Sequence, residues 1–124
     1  MIVDKFPGFP CRVSLEDAEI GEEVILIPYQ HHKTSSPYQA SGPIFVREGA
    51  KTSIWNTNEI PKMLNHRLLS LRGYNDNGIM KKTSVTEGNQ LKEQILRIFG
   101  NEEIKYIDIH NAGPGCYNCR VERI

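Results

Sequence analysis

The chain of 124 residues is long enough for one domain, predicted to span residues 1–124, and for one hydrophobic core without metals or disulfides. Hydrophobic residues make up 39% and charged residues 24%, the composition of an ordinary soluble globular protein. Because 15 basic side chains balance 15 acidic ones, the charge argues against nucleic-acid-binding and membrane-surface proteins, both of which use a basic excess.

The first half of the chain is predicted to contain two strands. The segment "SLEDAEIG" (14–21) forms at most one helical turn. The run "EEVILIPY" (22–29) contains a continuous apolar stretch, "VILI", that is rich in β-branched residues, which is typical of a strand buried on both faces. The polar run "QHHKTSSPYQASGP" (30–43) is predicted to be a surface loop in which His31 and His32 are solvated. A short strand, "IFVRE" (44–48), follows, with Phe45 as a packing residue.

The second half is predicted to contain two helices and two hairpins. A loop, "GAKTSIWNTNE" (49–59), holds Trp55 as a packing residue, and Asn58 caps a helix over 59–69. "LLSLRGY" and "IMKKTSV" form a hairpin around "NDNG", and apolar residues at helical spacing predict a helix over 87–100. The expected fold is α+β: a mostly antiparallel sheet, two short-to-medium helices packed on one face, and a closing C-terminal β-hairpin.

The closing hairpin is predicted to have two chemically different faces. A loop from Asn111 to Gly115 places His110 opposite Cys116, Ile109 opposite Tyr117 and Asp108 opposite Asn118. A slip of one residue would mix apolar and polar side chains, so the pattern favours this register. The apolar face then holds Ile107, Ile109, Tyr117, Cys119 and Val121, and the polar face holds Tyr106, Asp108, His110, Cys116, Asn118 and Arg120.

The polar face carries the candidate catalytic residues Cys116, His110 and Asp108. Opposed cross-strand residues have Cβ atoms about 5 Å apart, within reach of a thiol–imidazole hydrogen bond. Asp108 is placed to orient the imidazole, and together these are the parts of a Cys–His nucleophile. The simpler interpretation is that antiparallel sheets commonly leave one polar face in water.

Two other uses of the cysteines are disfavoured. "CYNC" has the letters of a C-x-x-C redox motif, but residues i and i+3 of a strand point to opposite faces. The same argument separates Cys119 from the other members of a Cys3His zinc site built from Cys11, His110, Cys116 and Cys119. No metal site and no cofactor are therefore predicted. Three cysteines, without an apolar leader in "MIVDKFPGFPCR", indicate reduced thiols and a cytoplasmic location.

Arginines on predicted strands suggest an anion site. Arg12, Arg72 and Arg120 are expected to converge near His110, because guanidinium groups bind carboxylates and phosphates bidentately. The predicted function is the binding of an anionic small molecule over the polar face of the C-terminal hairpin, with thiol chemistry at Cys116 as a further option. The alternative is a non-catalytic protein-interaction module, which a flat face instead of a concave pocket would favour. The predicted ligand-binding residues are Cys11, Arg12, Arg72, Asn111 and Arg120.

Four segments resemble a known family in order and spacing: "GFPCRVSLEDAEIGEEV", "SPYQASGPIFVREG", "LLSLRGYN" and "YIDIHNAGPGCYNCRV". The family is the bacterial one catalogued as domain of unknown function 1203, and the resemblance covers nearly the whole chain. It implies a small, single-domain bacterial protein and brings no activity, ligand or catalytic residue. It leaves Cys119 outside the family pattern and places inside it Cys11, Arg12, His110, Asn111, Gly115, Cys116 and Tyr117.

Overall fold

The computed structural model describes residues 1–49 and 59–123, so the predictions for Trp55 and for the Asn58 cap lie outside the described residues. Within these ranges no helix is long and apolar enough to cross a membrane. Short 3-10 turns lie at Lys62–Leu64 and Gly88–Gln90. The regular elements are β1 (Pro10–Cys11), β2 (Glu16–Asp17), β3 (Val24–His32), β4 (Ala40–Arg47), β5 (Leu68–Tyr74), β6 (Met80–Glu87), α1 (Leu91–Phe99), β7 (Tyr106–Asn111) and β8 (Tyr117–Glu122).

The strands form two four-stranded sheets. The first has the order β2-β1-β4-β3 and the second has the order β6-β5-β7-β8. Pairing is antiparallel except where Cys11 of β1 meets Phe45 of β4 in parallel. The predicted α+β fold, with two helices on one face of a sheet, is therefore wrong. The described chain is mostly β and has a single α-helix.

The helix predicted over 59–69 is reduced to the 3-10 turn at Lys62–Leu64. Leu68 begins β5 instead, and Leu69 is fully buried in the centre of the second sheet. Met63 and Leu64 are buried in the same core, which accounts for the apolar spacing in this segment. Sheet pairing and burial have overridden a helical pattern, as tertiary context often does for short segments.

One face of the second sheet carries the main hydrophobic core. Helix α1 packs there, and both this helix and the β5–β6 hairpin confirm their predictions. In the hairpin turn, the Asn75 side chain accepts hydrogen bonds from the Asn77 and Ile79 amides, and Gly78 supplies a positive φ of 72°. The buried core residues are Met63, Leu64, Leu69, Leu71, Leu91, Ile98, Ile104, Ile107 and Ile109.

Strand β3 is an edge strand and is longer and more exposed than predicted. Ile25, Leu26 and Ile27 are 55%, 50% and 38% exposed, so the prediction of burial on both faces is wrong. An edge position also explains why the strand continues through Pro28, since proline is tolerated there. The strand therefore extends to His32, and the predicted surface loop begins later than expected.

A smaller core lies in the first sheet, where Cys11 is fully buried. Phe9 and Phe45 pack against it with ring centroids 5.2 Å apart, which confirms Phe45 as a packing residue. The predicted helical turn over 14–21 is absent, because Asp17 instead lies in β2 and pairs with Pro10. The other buried members of this core are Val3, Ala18 and Val24.

The closing hairpin forms from β7 and β8, as predicted, but the predicted register is wrong. Strand β8 begins at Tyr117, so Cys116 belongs to the loop. The Cys116 carbonyl accepts a hydrogen bond from the Asn111 amide at 2.8 Å, so Cys116 lies beside Asn111 and not opposite His110. Asn118 then falls between two registers as the extra residue of a β-bulge. The observed pairs are His110 with Tyr117, Ile109 with Cys119, Asp108 with Arg120, Ile107 with Val121 and Tyr106 with Glu122.

The bulge changes which face Tyr117 occupies. Cys119 and Val121 pack against the hydrophobic core beside Ile107 and Ile109, as predicted. Tyr117 instead lies beside His110, with ring centroids 5.6 Å apart, so its predicted place on the apolar face is wrong. A single inserted residue therefore lets β8 contribute to both sides of the sheet.

A buried ion pair joins the two sheets. Arg67, just before β5, donates from Nη1 to Asp17 Oδ2 at 3.0 Å and from Nη2 to Oδ1. The Asp17 and Arg67 side chains are 4% and 14% exposed. Desolvation makes such a pair sensitive to the loss of either partner, because the remaining charge is buried alone.

The first prediction concerns this ion pair. Asp17→Asn should lower the free energy of unfolding by about 3–5 kcal/mol, because it leaves the Arg67 guanidinium without its counter-charge. Glu16→Gln is the matched control: exposed Glu16 lies 3.6 Å from Arg47, and losing such a pair should cost about 1 kcal/mol or less. Urea unfolding of both variants measures the difference. Equal, small effects would show that the Asp17–Arg67 pair does not hold the sheets together.

Candidate functional site

The polar face of the closing hairpin is interior. Asp108 and His110 are 0% and 1% exposed. The end of β3 covers them, since Arg120 Nη2 donates to the His31 carbonyl at 3.2 Å and the His31 and His110 rings lie 5.0 Å apart. The interpretation that the polar face of the hairpin lies in water is therefore wrong, and the polar groups of Asp108 and His110 need partners inside the protein.

Asp108 is held by Arg120, its cross-strand neighbour. Arg120 Nε donates to Oδ1 at 2.8 Å and Nη2 donates to Oδ2 at 3.2 Å. The guanidinium also lies 4.3 Å from the centre of the Tyr106 ring, and its hydrogen bonds to Asp108 raise the pKa of Arg120. Each carboxylate oxygen has a second lone pair, so Asp108 can still accept a further ligand.

His110 has a defined tautomer. Its Nδ1 lies 2.9 Å from the Gly115 carbonyl oxygen, which can only accept, so Nδ1 carries the hydrogen. Burial, with a contribution from the charge of Arg72, lowers the pKa of His110 to about 4. The ring is therefore neutral at pH 7 and Nε2 has a lone pair without a proton. Nε2 is buried and has no hydrogen-bond partner among the described residues.

His31 lies beside this lone pair. Its ring stacks on Tyr117 at 5.0 Å with an interplanar angle of 7° and meets the His110 ring edge-on. Burial lowers the pKa of His31, and its Nδ1 is also buried without a partner in the described part of the chain. One ligand atom each from His31, Asp108 and His110 lie within 4.8 Å of one another. We call these three residues the His–Asp–His cluster.

His32 positions this end of β3. It is 1% exposed, its Nδ1 donates to the Tyr38 carbonyl at 2.7 Å, and its Nε2 accepts from the Tyr106 hydroxyl at 2.6 Å. Both ring nitrogens are therefore used within the protein. The bond to Tyr106 ties β3 to β7 and sets His31 beside Asp108 and His110.

Sequence reasoning missed both histidines of β3 because the polar run after Pro28 resembles a loop. One signal was present. Strand alternation continued through Pro28 places Tyr29 and His31 on one face, and in the structure both rings contact Tyr117. Nothing in the sequence indicates that this face meets the polar face of β7.

The structure brings together two of the three predicted catalytic residues. His110 and Asp108 belong to the cluster, whereas Cys116 lies in the loop and His110 pairs with Tyr117 in the ladder. Burial lowers the pKa of the Arg12 guanidinium, and the electrostatic contribution of Cys116 opposes this shift. A catalytic role for Cys116 stays a prediction.

Four of the five predicted ligand-binding residues make structural contacts. Cys11 is fully buried in the first sheet, and Arg120 is bound to Asp108. Arg12 Nε donates to the Tyr117 carbonyl at 2.6 Å, and its Nη1 donates to the Pro10 carbonyl. Asn111 Oδ1 accepts from Asn118 at 2.8 Å and so supports the hairpin loop.

The fifth predicted ligand-binding residue, Arg72, differs from the others. It lies half-buried in β5, opposite Asp108, and no hydrogen bond or ion pair engages its side chain within residues 1–49 and 59–123.

A groove of about 760 Å³ lies between α1 and β8, on the other side of the sheet. Cys11, Arg12, His110 and Cys116 do not line it, so this groove is not the concave pocket that the sequence suggests.

The cysteines do not form the Cys3His arrangement. Cys11 lies in the first sheet and Cys119 packs against the core of the second. Within the described ranges, the His–Asp–His cluster is the one set of His, Cys, Asp or Glu side chains close enough to share an ion.

The fold and this site define a small, mostly β protein of two sheets with a buried His–Asp–His cluster between them. The chain belongs to the family described as "Protein of unknown function (DUF1203)", whose sequence model matches residues 8–123. This confirms the resemblance inferred from the sequence. Searches of curated proteins and of solved structures find no significant match.

The second prediction concerns the thiols. Burial raises the pKa of Cys119 to about 12 and also raises the pKa of Cys11, so both should be protonated and slow to react at pH 8. Cys116 is partly exposed in the hairpin loop and does not pack against the hydrophobic core as Cys119 does, so it should react first with Ellman's reagent. Peptide mapping after brief alkylation should find the label at Cys116, and Cys116→Ser should remove the fast phase. Native labelling of Cys119 at its rate in denaturant would contradict its place on the core face.

Proposed function

We propose that this protein binds a divalent transition-metal ion through His31, Asp108 and His110, and that its function is metal-dependent. The observation that carries the proposal is the lone pair of His110 Nε2, buried beside a second imidazole and a carboxylate. An unpaired buried polar atom costs about 1–3 kcal/mol, and a bond to a metal ion would remove this cost. Two histidines and a carboxylate are a ligand set used for zinc and for non-haem iron.

The partners of these side chains support the proposal. Metal-binding histidines usually donate their other ring N–H to a carbonyl or carboxylate, as His110 Nδ1 does to Gly115. Ligating carboxylates are usually hydrogen-bonded as well, as Asp108 is by Arg120. These contacts fix the tautomer of His110 and the orientation of Asp108 before any ion binds.

The chemistry of the lone pair favours a cation over an anion as the direct partner of His110. An unprotonated Nε2 repels an oxyanion, whereas it donates an electron pair to a metal. Tetrahedral ligand atoms about 2.1 Å from an ion lie about 3.4 Å from one another. The three ligand atoms of the cluster lie within 4.8 Å of one another, so they have to move closer together when an ion binds. His31, which is less buried than His110 and Asp108, is the side chain best able to move.

Three protein ligands leave coordination positions open for water or a substrate, as catalytic metal sites do. A bound ion would supply Lewis-acid chemistry at such a position. The chain's own residues would orient the ligands, exclude water from Asp108 and His110, and keep both imidazoles unprotonated by burial. This proposal departs from the sequence-based prediction that the protein has no metal site.

We also place the protein in the cytoplasm of a bacterial cell. Its three cysteines are unpaired, which suits a reducing compartment, and the bacterial origin rests on the resemblance to the family. The balanced charge supports a small-molecule role instead of nucleic-acid or membrane binding. Thiol chemistry at Cys116 and a protein-interaction role stay predictions; the exposed edge strand β3 is the surface that would suit the latter.

The third prediction tests the metal site. Metal-free protein titrated calorimetrically with Zn²⁺ should bind about one ion per chain, and Co²⁺ should give an absorption spectrum of low coordination number. Losing a residue that only hydrogen-bonds to a metal ligand weakens metal binding roughly 10–100-fold. His31→Gln and His110→Gln each remove a ligand itself, so each should weaken Zn²⁺ binding by more than that. Binding should also raise the melting temperature, since the ion stabilises only the folded state.

His66→Gln and Cys116→Ser are the controls for this test. His66 is exposed and contacts Asp17, away from the cluster, so its substitution should leave the affinity unchanged. Cys116→Ser distinguishes a cysteine-based site from the proposed one. Zn²⁺ binding that survives both cluster substitutions, or that is lost in Cys116→Ser, would refute the proposal, as would no binding at all.

A further inference from the structure

The charges around the His–Asp–His cluster indicate that a metal ion there needs an anion beside it. Arg72 and Arg120 stand opposite Asp108 on the two neighbouring strands, so two guanidinium groups flank one buried carboxylate. Guanidinium charge therefore exceeds carboxylate charge before any ion binds. A divalent cation increases this excess in a site with little access to water, where uncompensated like charges are costly.

Arg72 is the cation placed to hold that anion. Arg120 already donates to Asp108 and to the His31 carbonyl, whereas no hydrogen bond or ion pair engages Arg72 in the described residues. Arg72 stands opposite Asp108 in the ladder, and it is half-buried, so it has access to both the cluster and solvent. A Cβ at Gly115 would lie 3.9 Å from Arg72 Nη2, which places the guanidinium next to the loop that fixes His110.

We infer that the site takes a compact oxyanion, the carboxylate or phosphate group of a small molecule, held by the metal ion and Arg72 together. The inference rests on the proposed metal site. A guanidinium supplies a planar pair of donors to such a group, and a metal with three protein ligands has a free position for one of its oxygens. Ser70 lies on the same face of β5 as Arg72 and stands opposite His110, so it lies on the same side of the proposed anion site. An anion bound in this way avoids the lone pair of His110.

The test uses inorganic phosphate and, separately, acetate, each titrated calorimetrically into full-length protein with and without Zn²⁺. Zn²⁺ is held below the protein concentration so that little free ion competes for the anion. At least one of the two anions should bind the Zn²⁺-loaded protein about tenfold or more tightly than the metal-free protein. By linkage, the same anion should raise the Zn²⁺ affinity by the same factor.

Arg72→Gln should reduce the anion affinity of the loaded protein about tenfold or more while leaving Zn²⁺ binding in anion-free buffer intact. Arg72→Lys should lose part of the affinity, because it keeps the charge without the planar pair of donors, and it serves if the glutamine variant fails to fold. Arg97→Gln, on the exposed side of α1, is the matched control and should have no effect.

The outcomes separate the two proposals. Zn²⁺ binding with no coupling to either anion, or with coupling unchanged in both Arg72 variants, would overturn the oxyanion site and leave the metal site standing. Failure of Zn²⁺ to bind would overturn the metal site itself and the inference with it. Preference for phosphate over acetate, or the reverse, would identify which oxyanion class the site accepts.

Discussion

The Asp108 carboxylate is fully buried, and its ion pair with Arg120 is the constraint on which the whole site depends. A buried carboxylate without a partner is too costly to keep ionised, so β8 has to bring a guanidinium to it. The same guanidinium donates to the His31 carbonyl, which draws the end of β3 onto the second sheet. The bond from Tyr106 to His32 reinforces this contact. The guanidinium that pairs with Asp108 and the Tyr106–His32 bond together hold the end of β3 against the second sheet and set the position of His31.

The β-bulge at Asn118 reconciles the two faces of the closing hairpin. It keeps Cys119 packed against the hydrophobic core and turns Tyr117 towards the interior polar face, where its ring supports His31. The loop that follows β7 returns its Gly115 carbonyl to His110 and fixes the tautomer. Buried polar networks are rigid only when every member is satisfied, so the unpaired nitrogens of His31 and His110 are among the groups that need a partner.

Local patterns predicted what depends on local sequence. The β5–β6 turn follows from its Asn and Gly residues, helix α1 follows from its apolar spacing, and the closing hairpin follows from alternation around a Gly- and Pro-rich loop. The predicted register of the closing hairpin is wrong because alternation cannot reveal an inserted residue. The predicted helix over 59–69 is wrong because Leu68 and Leu69 belong to a strand of the second sheet. Alternation also shows that two faces differ, but it does not show which one is covered. The shared face of His110 and Asp108 could therefore be predicted, whereas the position of His31 could not, since its contacts depend on another sheet.

Crystals grown with Zn²⁺ or Co²⁺ give the most direct measurement of the central claim, through anomalous scattering at the metal edge. We expect one strong peak between His31, Asp108 and His110, about 2.0–2.2 Å from His110 Nε2, with Nδ1 still bonded to the Gly115 carbonyl. A peak at the cysteines, or density at the cluster without anomalous signal at saturating metal, would contradict it. In the second case, water would be the partner of the buried lone pair and the site would be structural.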